Sequence, residues 1–287
     1  MSAIDKTLAR VQARVATNEF YEAHQGVRTI VARYVRQGNS TEAIDILYSS
    51  ALLLAAAGQF GSVCDLGAYM LTVYIDSKVP VDQVSKGRLA QVVCQVPAFE
   101  PALRSLARSS EKWMATMGIK GGDPDVHHLF GSIIATTDDF VTAEHHLFLG
   151  TRESAAALAH MHTRWAKKDD DEKLPLYIAR GVFGYLSIGD MLNAHAYIAA
   201  ALAPIEGAES IGDLLIVDKY PLLSFLQLLI QVCMRKQALN YQQLLDEYNV
   251  QEIAAWAGPL TFMEELYFGI KPQREFNIMD LVGGFLK

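Results

Sequence analysis

At 287 residues, 51% of them apolar, the chain can bury one large core or two modest ones without disulfide staples. Its formal charge of −7 argues against non-specific nucleic-acid binding. Its three cysteines, Cys64, Cys94 and Cys233, are odd in number and far apart, which fits neither a disulfide framework nor a cysteine zinc knuckle but does fit a reducing cytosol.

Abundant Ala and Leu, few Pro and almost no β-branched runs favour helix throughout. The first predicted helix, "MSAIDKTLARVQARV", has charges every few residues and no apolar signal-peptide core. Ile4, Leu8, Val11 and Val15 make one apolar seam, while Lys6, Arg10 and Arg14 form a separate basic stripe at i, i+4 and i+8. Six basic residues against three acidic ones up to Arg36 reverse the polarity of the whole chain. The stripe is either a solvated face or a surface that steers an acidic protein partner.

Five turn-then-helix stretches then look alike: "NEFYEAH" at Asn18, "GNSTEAI" at Gly38, "GQFGSVC" at Gly58, "TDDFVTAEH" at Thr137 and "GDMLNAH" at Gly189. Ala23, Ala43 and Val63 recur 20 residues apart, so a helix pair takes about 40 residues, the period of an α-solenoid. The predicted fold is all-α, a single solenoid over 1–287 of antiparallel helix pairs similar to tetratricopeptide repeats. Further along, Asp123 before Pro124 predicts a capped helix start, and Gly150 followed by Thr151 predicts a helix end and the next cap. "KKDDDEK" from Lys167 reads as a solvated loop. Ile205 to Pro221, with the apolar run Leu214 to Val217, reads as a small β-hairpin insertion.

"PLLSFLQLLIQVCM" from Pro221 is too short for a bilayer span and is interrupted by Gln227 and Gln231, so it is predicted to be a buried helix. Together with "LTFMEELYFGI" from Leu260 it carries more apolar surface than a terminal repeat needs. That excess fits a bound partner segment or a self-contained core equally well.

Chemical motifs are scarce. "EHH" at Glu144 and "HMH" at His160 lack the three- or four-residue spacing that puts two metal ligands on one helix face. No phosphate-loop motif exists, "MGIKGGDP" at Met117 reads as a turn, and G-x-S-x-G is absent. Neither a catalytic residue nor a metal or cofactor site is predicted, and a binding scaffold is favoured over an enzyme. Two alternatives are a helical-repeat subunit of a proteasome- or signalosome-like assembly and a metallohydrolase built on His145, His146, His160 and His162.

"YEAHQGVRT" at Tyr21, "YSSALLLAAAGQFGSVCDL" at Tyr48, "DPDVHHLFG" at Asp123, "AEHHLFLGTRESA" at Ala143 and "LYFGIKPQ" at Leu266 occur in an order that resembles the Golgi-to-ER-traffic protein 4 family. That family is the cytosolic scaffold of the pathway that guides tail-anchored proteins to the endoplasmic reticulum. The resemblance covers almost the whole chain and implies no enzyme activity. It implies that the N-terminal half, 1–150, docks a targeting ATPase in its closed, ATP-bound form and restrains hydrolysis. The C-terminal half, 151–287, would hold the N-terminal segment of a ubiquitin-like-domain protein, and through it meet a tetratricopeptide co-chaperone. No nucleic acid and no membrane insertion are implied.

Position by position, the resemblance assigns Lys6, Arg10, Arg14, Tyr21, His24 and Arg28 to ATPase binding and Asp65 to regulation of hydrolysis. His24 reads equally as a buried, hydrogen-bonded histidine. The chain departs from the family pattern at Thr72, where a second acid is expected. The ubiquitin-like partner's contacts are assigned by region, to Leu214, Leu215, Ile216 and Val217 and to Leu222, Phe225, Leu226 and Leu229.

Overall fold

The computed structural model describes residues 3–270. Four helices, α1 (Ala3–Ala16), α2 (Phe20–Arg36), α3 (Ser40–Ala56) and α4 (Phe60–Asp76), follow one another at the predicted interval. The interval is set by the turns. Asn18, Gly38, Gly58 and Lys78 all adopt left-handed backbone, with φ of 61°, 79°, 71° and 54°. One residue on, the amides of Glu19, Asn39, Gln59 and Val79 donate back to the carbonyls of Arg14, Tyr34, Leu54 and Tyr74 at 2.8–3.0 Å. This closure satisfies carbonyls that a helix end leaves open, and after each of the first three turns the next helix begins within three residues.

Each of the three helices after such a turn buries a stripe at i, i+4 and i+8. The stripes are Ala23, Val27 and Val31, then Ala43, Leu47 and Ala51, then Val63, Gly67 and Leu71. Ala23 and Ala43 open the first two stripes and Gly67 stands in the third, so neighbouring helix backbones approach closely.

Next come α5 (Gln83–Val93), α6 (Ala102–Thr116), α7 (Pro124–Ile134), α8 (Phe140–Phe148) and α9 (Arg152–Asp169). Helix α4 packs on α6, α5 on α7, and α7 on α8. Trp113, fully buried on α6, donates its indole N–H to the Val79 carbonyl at 3.0 Å and lies 5.2 Å from the Tyr74 ring. Asp123 caps α7 as expected, accepting from the amides of Asp125 and Val126. The cap of α9 differs from expectation: Ser154 Oγ accepts the Thr151 amide at 3.0 Å. Gly150 is required for space, because a Cβ there would stand 2.1 Å from that hydroxyl.

The chain divides into two compact units, Met1–Met161 and His162–Lys287. "KKDDDEK" corrects the loop expectation. Its first half completes α9 and its second half is a 3-10 turn, Asp171–Lys173, held by Asp170 accepting from the Glu172 amide. The second unit continues with α10 (Leu174–Ser187), α11 (Met191–Leu202), strands β1 (Glu209–Ile211) and β2 (Leu214–Ile216), α12 (Pro221–Arg235), α13 (Ala238–Glu247) and α14 (Ala257–Met263). A π-helical turn, Glu264–Phe268, follows α14. The strands pair antiparallel, Glu209 with Ile216 and Ile211 with Leu214, around a two-residue turn in which Gly212 takes a φ of 62°. The predicted hairpin insertion is therefore present, and apart from it the described residues are helices and turns. No helix among them is long and apolar enough to cross a membrane. Of the family block at Leu266, Lys271 to Gln273 lie outside the described residues.

Candidate functional site

Lys6 and Arg10 stand exposed on α1. Arg14 has a structural task besides its charge, since its Nη1 donates to the Glu22 carbonyl of α2 at 2.7 Å. The guanidinium passes 2.9 Å from where a Cβ on Gly26 would stand, so the glycine leaves it room. Arg10, Arg14, Ala23 and Gly26 line a groove of about 490 Å³ between the two helices.

Beside it, the structure joins three of the sequence-selected residues into one cluster. A single carboxylate oxygen of Asp65, on α4, accepts from His24 Nε2 at 2.8 Å and from Arg28 Nη1, both on α2. His24 and Arg28 are one helical turn apart, so both reach the same point on the neighbouring helix. The Arg28 guanidinium also lies over the Tyr69 ring, 5.3 Å from its centre. Tyr69 was not singled out in the sequence, although it follows Asp65 by one turn. Asp65 and Arg28 keep about two fifths of their side chains exposed, and His24 is largely covered. Tyr21 projects from the same helix and is 71% exposed. Thr72 is exposed, and its hydroxyl turns back onto the Ala68 carbonyl at 3.0 Å. The cluster holds charge in a fixed geometry and presents it to solvent.

The C-terminal assignments divide. Leu214, Leu215, Ile216 and Leu222 are half-buried and Val217 is buried, while Ile211 on β1 is 61% exposed. Phe225, Leu226 and Leu229 are fully buried and Val217 nearly so, so these four face the unit's own core rather than an open surface. Phe225 stacks on Trp256 at 5.5 Å and packs against Tyr248 at 5.7 Å, so the apolar excess of α12 is spent on the unit's own core. Gln227 supplies what the sequence did not reveal. Its Oε1 accepts the Leu215 amide at 2.9 Å and its Nε2 donates to the Leu215 carbonyl at 2.8 Å, which pins β2 to α12. An amide inside a largely apolar helix was the available signal, since a buried amide needs partners.

The four histidines of the metallohydrolase alternative do not assemble. His162 is buried and bonded to the Tyr197 hydroxyl at 2.8 Å, and His160 is exposed. His146 instead meets His127, Nδ1 to Nδ1 at 2.9 Å, while His145 Nε2 meets Glu111 Oε1 at 2.8 Å. Burial, reinforced by the neighbouring His127, holds His146 well below the ordinary imidazole range, and burial lowers His127 as well. Two His-His pairs 18 residues apart, one on each helix of a hairpin, were the overlooked pattern; spacing along a single helix could not show it. Burial also raises the thiols of Cys64 and Cys233 to about 12, which leaves them unreactive, whereas Cys94 is exposed.

Comparison with known proteins agrees with the fold and the resemblance. Residues 37–286 match the family described as Golgi to ER traffic protein 4. A protein of that name from Aspergillus fumigatus is 32% identical, with 99% of this chain and 90% of that protein covered. Its Schizosaccharomyces pombe counterpart is 30% identical, with coverages of 94% and 90%. A crystal structure of C. therm. Get4 is similar with a TM-score of 0.88 at 31% identity, covering 100% of this chain and 96% of that one. Matching sequence over most of the chain, together with the same helical architecture, places this protein in the Golgi to ER traffic protein 4 family.

Proposed function

We propose that the chain is a non-enzymatic adaptor in the post-translational targeting of tail-anchored proteins to the endoplasmic reticulum. Its N-terminal unit docks a targeting ATPase through Lys6, Arg10 and Tyr21, with Arg14 holding α1 in place. Asp65, His24 and Arg28 form the neighbouring contact that restrains ATP hydrolysis. The second unit holds a segment of a ubiquitin-like-domain protein against the hairpin and the start of α12, through Ile211, Leu214, Leu215, Ile216 and Leu222. That protein in turn brings a tetratricopeptide co-chaperone loaded with substrate.

The observation that carries the reading is the cluster on Asp65, a polar constellation fixed by two helices yet open to solvent, next to an exposed basic stripe. No nucleophile or general base is needed for such a surface to work; charge complementarity and shape suffice. The test is an affinity capture from native cytosol with wild type and with Lys6→Glu, Arg10→Glu and Arg14→Glu combined. An ATPase captured by wild type alone, with a ubiquitin-like-domain protein captured by both, supports the reading. Capture of neither by wild type rejects it.

A further inference from the structure

The cleft between α6, α7 and α8 gathers three ligand-type groups that the docking surfaces do not use. Glu111 of α6, His127 of α7 and His146 of α8 each bring a donor atom into a cluster less than 4.8 Å across. The two imidazoles are 2% and 3% exposed and face each other through Nδ1 at 2.9 Å. In a tetrahedral site with zinc–nitrogen bonds of about 2.0–2.1 Å, neighbouring donors stand about 3.3 Å apart. The imidazole pair is thus within about 0.4 Å of the required spacing, and an oxygen of the half-buried Glu111 carboxylate lies within 4.8 Å of both.

The surroundings orient these groups. His127 hydrogen-bonds the Gly121 backbone, and its Nε2 lies 2.1 Å from where a Cβ on Gly122 would stand. A bound metal would take the two facing Nδ1 atoms bare, in place of the hydrogen bond they share, with Nε2 of His127 left to the neighbouring backbone. Gly121 and Gly122 have φ of 80° and 81°, so a turn that only glycine adopts readily builds this cradle. On α7 itself, Gly131 lets α8 come close: a Cβ there would lie 3.2 Å from the Cβ of His146. His145, 57% exposed and 2.8 Å from Glu111 Oε1, is placed to hold the carboxylate's second oxygen. A cavity of about 510 Å³, lined in part by Glu111, Met114, His127 and His145, supplies an entry path and room for a water in the fourth position.

We propose that Glu111, His127 and His146 form a binding site for one divalent first-row transition ion, zinc foremost, that ties α6, α7 and α8 together. Two imidazole nitrogens and one carboxylate suit zinc and its neighbours and leave too few oxygens for calcium or magnesium. The inference is independent of the docking surfaces.

The test uses the full-length, tag-free chain, stripped with a chelator and titrated with zinc chloride and, separately, cobalt chloride. The expected result is one equivalent bound, visible d–d absorption with cobalt, and a thermal midpoint about 5 °C higher at a hundredfold excess over Kd. Glu111→Gln, at a half-buried position, should stay folded by circular dichroism and bind zinc at least about 10-fold more weakly. His127→Asn should abolish the cobalt spectrum, and His160→Asn, on the surface, should leave it intact. Less than one equivalent bound by wild type, or unchanged affinity in both Glu111→Gln and His127→Asn, overturns the assignment.

Discussion

Asp65 shows how one side chain can matter more to a surface than to the fold. Its partners are partly open to water, where an ion pair of this kind contributes about 0.2–1 kcal/mol. Asp65→Ala should therefore lower stability by no more than about 1 kcal/mol, and a double-mutant cycle with Arg28→Ala should give a coupling of similar size. If the cluster contacts the docked ATPase, the same substitution should accelerate hydrolysis in the complex while leaving the thermal midpoint nearly unchanged. A large loss of stability would instead make Asp65 a structural brace. Glycines give the opposite case, in which the fold dictates the residue. A Cβ on Gly131 would lie 2.9 Å from Leu147, itself fully buried, so Gly131→Ala should cost about 1–3 kcal/mol by overpacking. Gly87, within α5, has open space at its Cβ position, and Gly87→Ala should stabilise by about 0.5–1 kcal/mol. Chemical denaturation of both variants distinguishes a spatial requirement from an incidental glycine.

At the scale of elements, Gln227 is the part of α12 that determines how the hairpin is held. Gln227→Leu keeps the volume but leaves the Leu215 amide and carbonyl without their partner, a cost of about 1–3 kcal/mol confined to that contact. Hydrogen exchange should accelerate across 209–217 while α10 and α11 keep their protection; acceleration across all of them would show that the clamp stabilises the whole second unit. The helical repeat was legible in the sequence because its cause is local. Asn18, Gly38 and Gly58 mark the left-handed turns, and Ala23, Ala43 and Val63 mark the close packing that follows. The hairpin was legible for the same reason, as an apolar run set among polar residues and glycines. What escaped notice depends on pairs distant in the chain: Gln227 with Leu215, His127 with His146, and Asp65 with both His24 and Arg28. Periodicity says which face of a helix is buried, but not which polar atom waits across the interface. Phe225, Leu226 and Leu229 show the converse limit, since composition alone does not separate a partner's groove from a unit's own core.

For the molecule as a whole, the basic stripe of α1 and the apolar edge of the hairpin lie in different units. The chain carries −7 overall, yet Lys6 and Arg10 present an exposed basic stripe in the first unit, while the exposed apolar Ile211 belongs to the second. Two kinds of recognition should then respond to different variables. If a partner docks at the basic stripe as proposed, long-range attraction draws it in, and its association rate should fall steeply as salt rises past the point where the Debye length shrinks to about 10 Å. Apolar docking at the hairpin should change little. Lys6→Glu with Arg10→Glu, sparing Arg14 because it braces α2, should weaken ATPase binding by about 1–3 kcal/mol at low salt without altering the thermal midpoint. Ile211→Asp should weaken the ubiquitin-like partner alone. Combined in one chain, the two sets of changes should add within about 0.5 kcal/mol for each partner, as expected of sites that share no contacts. Binding of each partner, measured with and without the other present over a salt series, checks this directly. A clear departure from additivity would mean that the two units are coupled, so that binding at one changes affinity at the other.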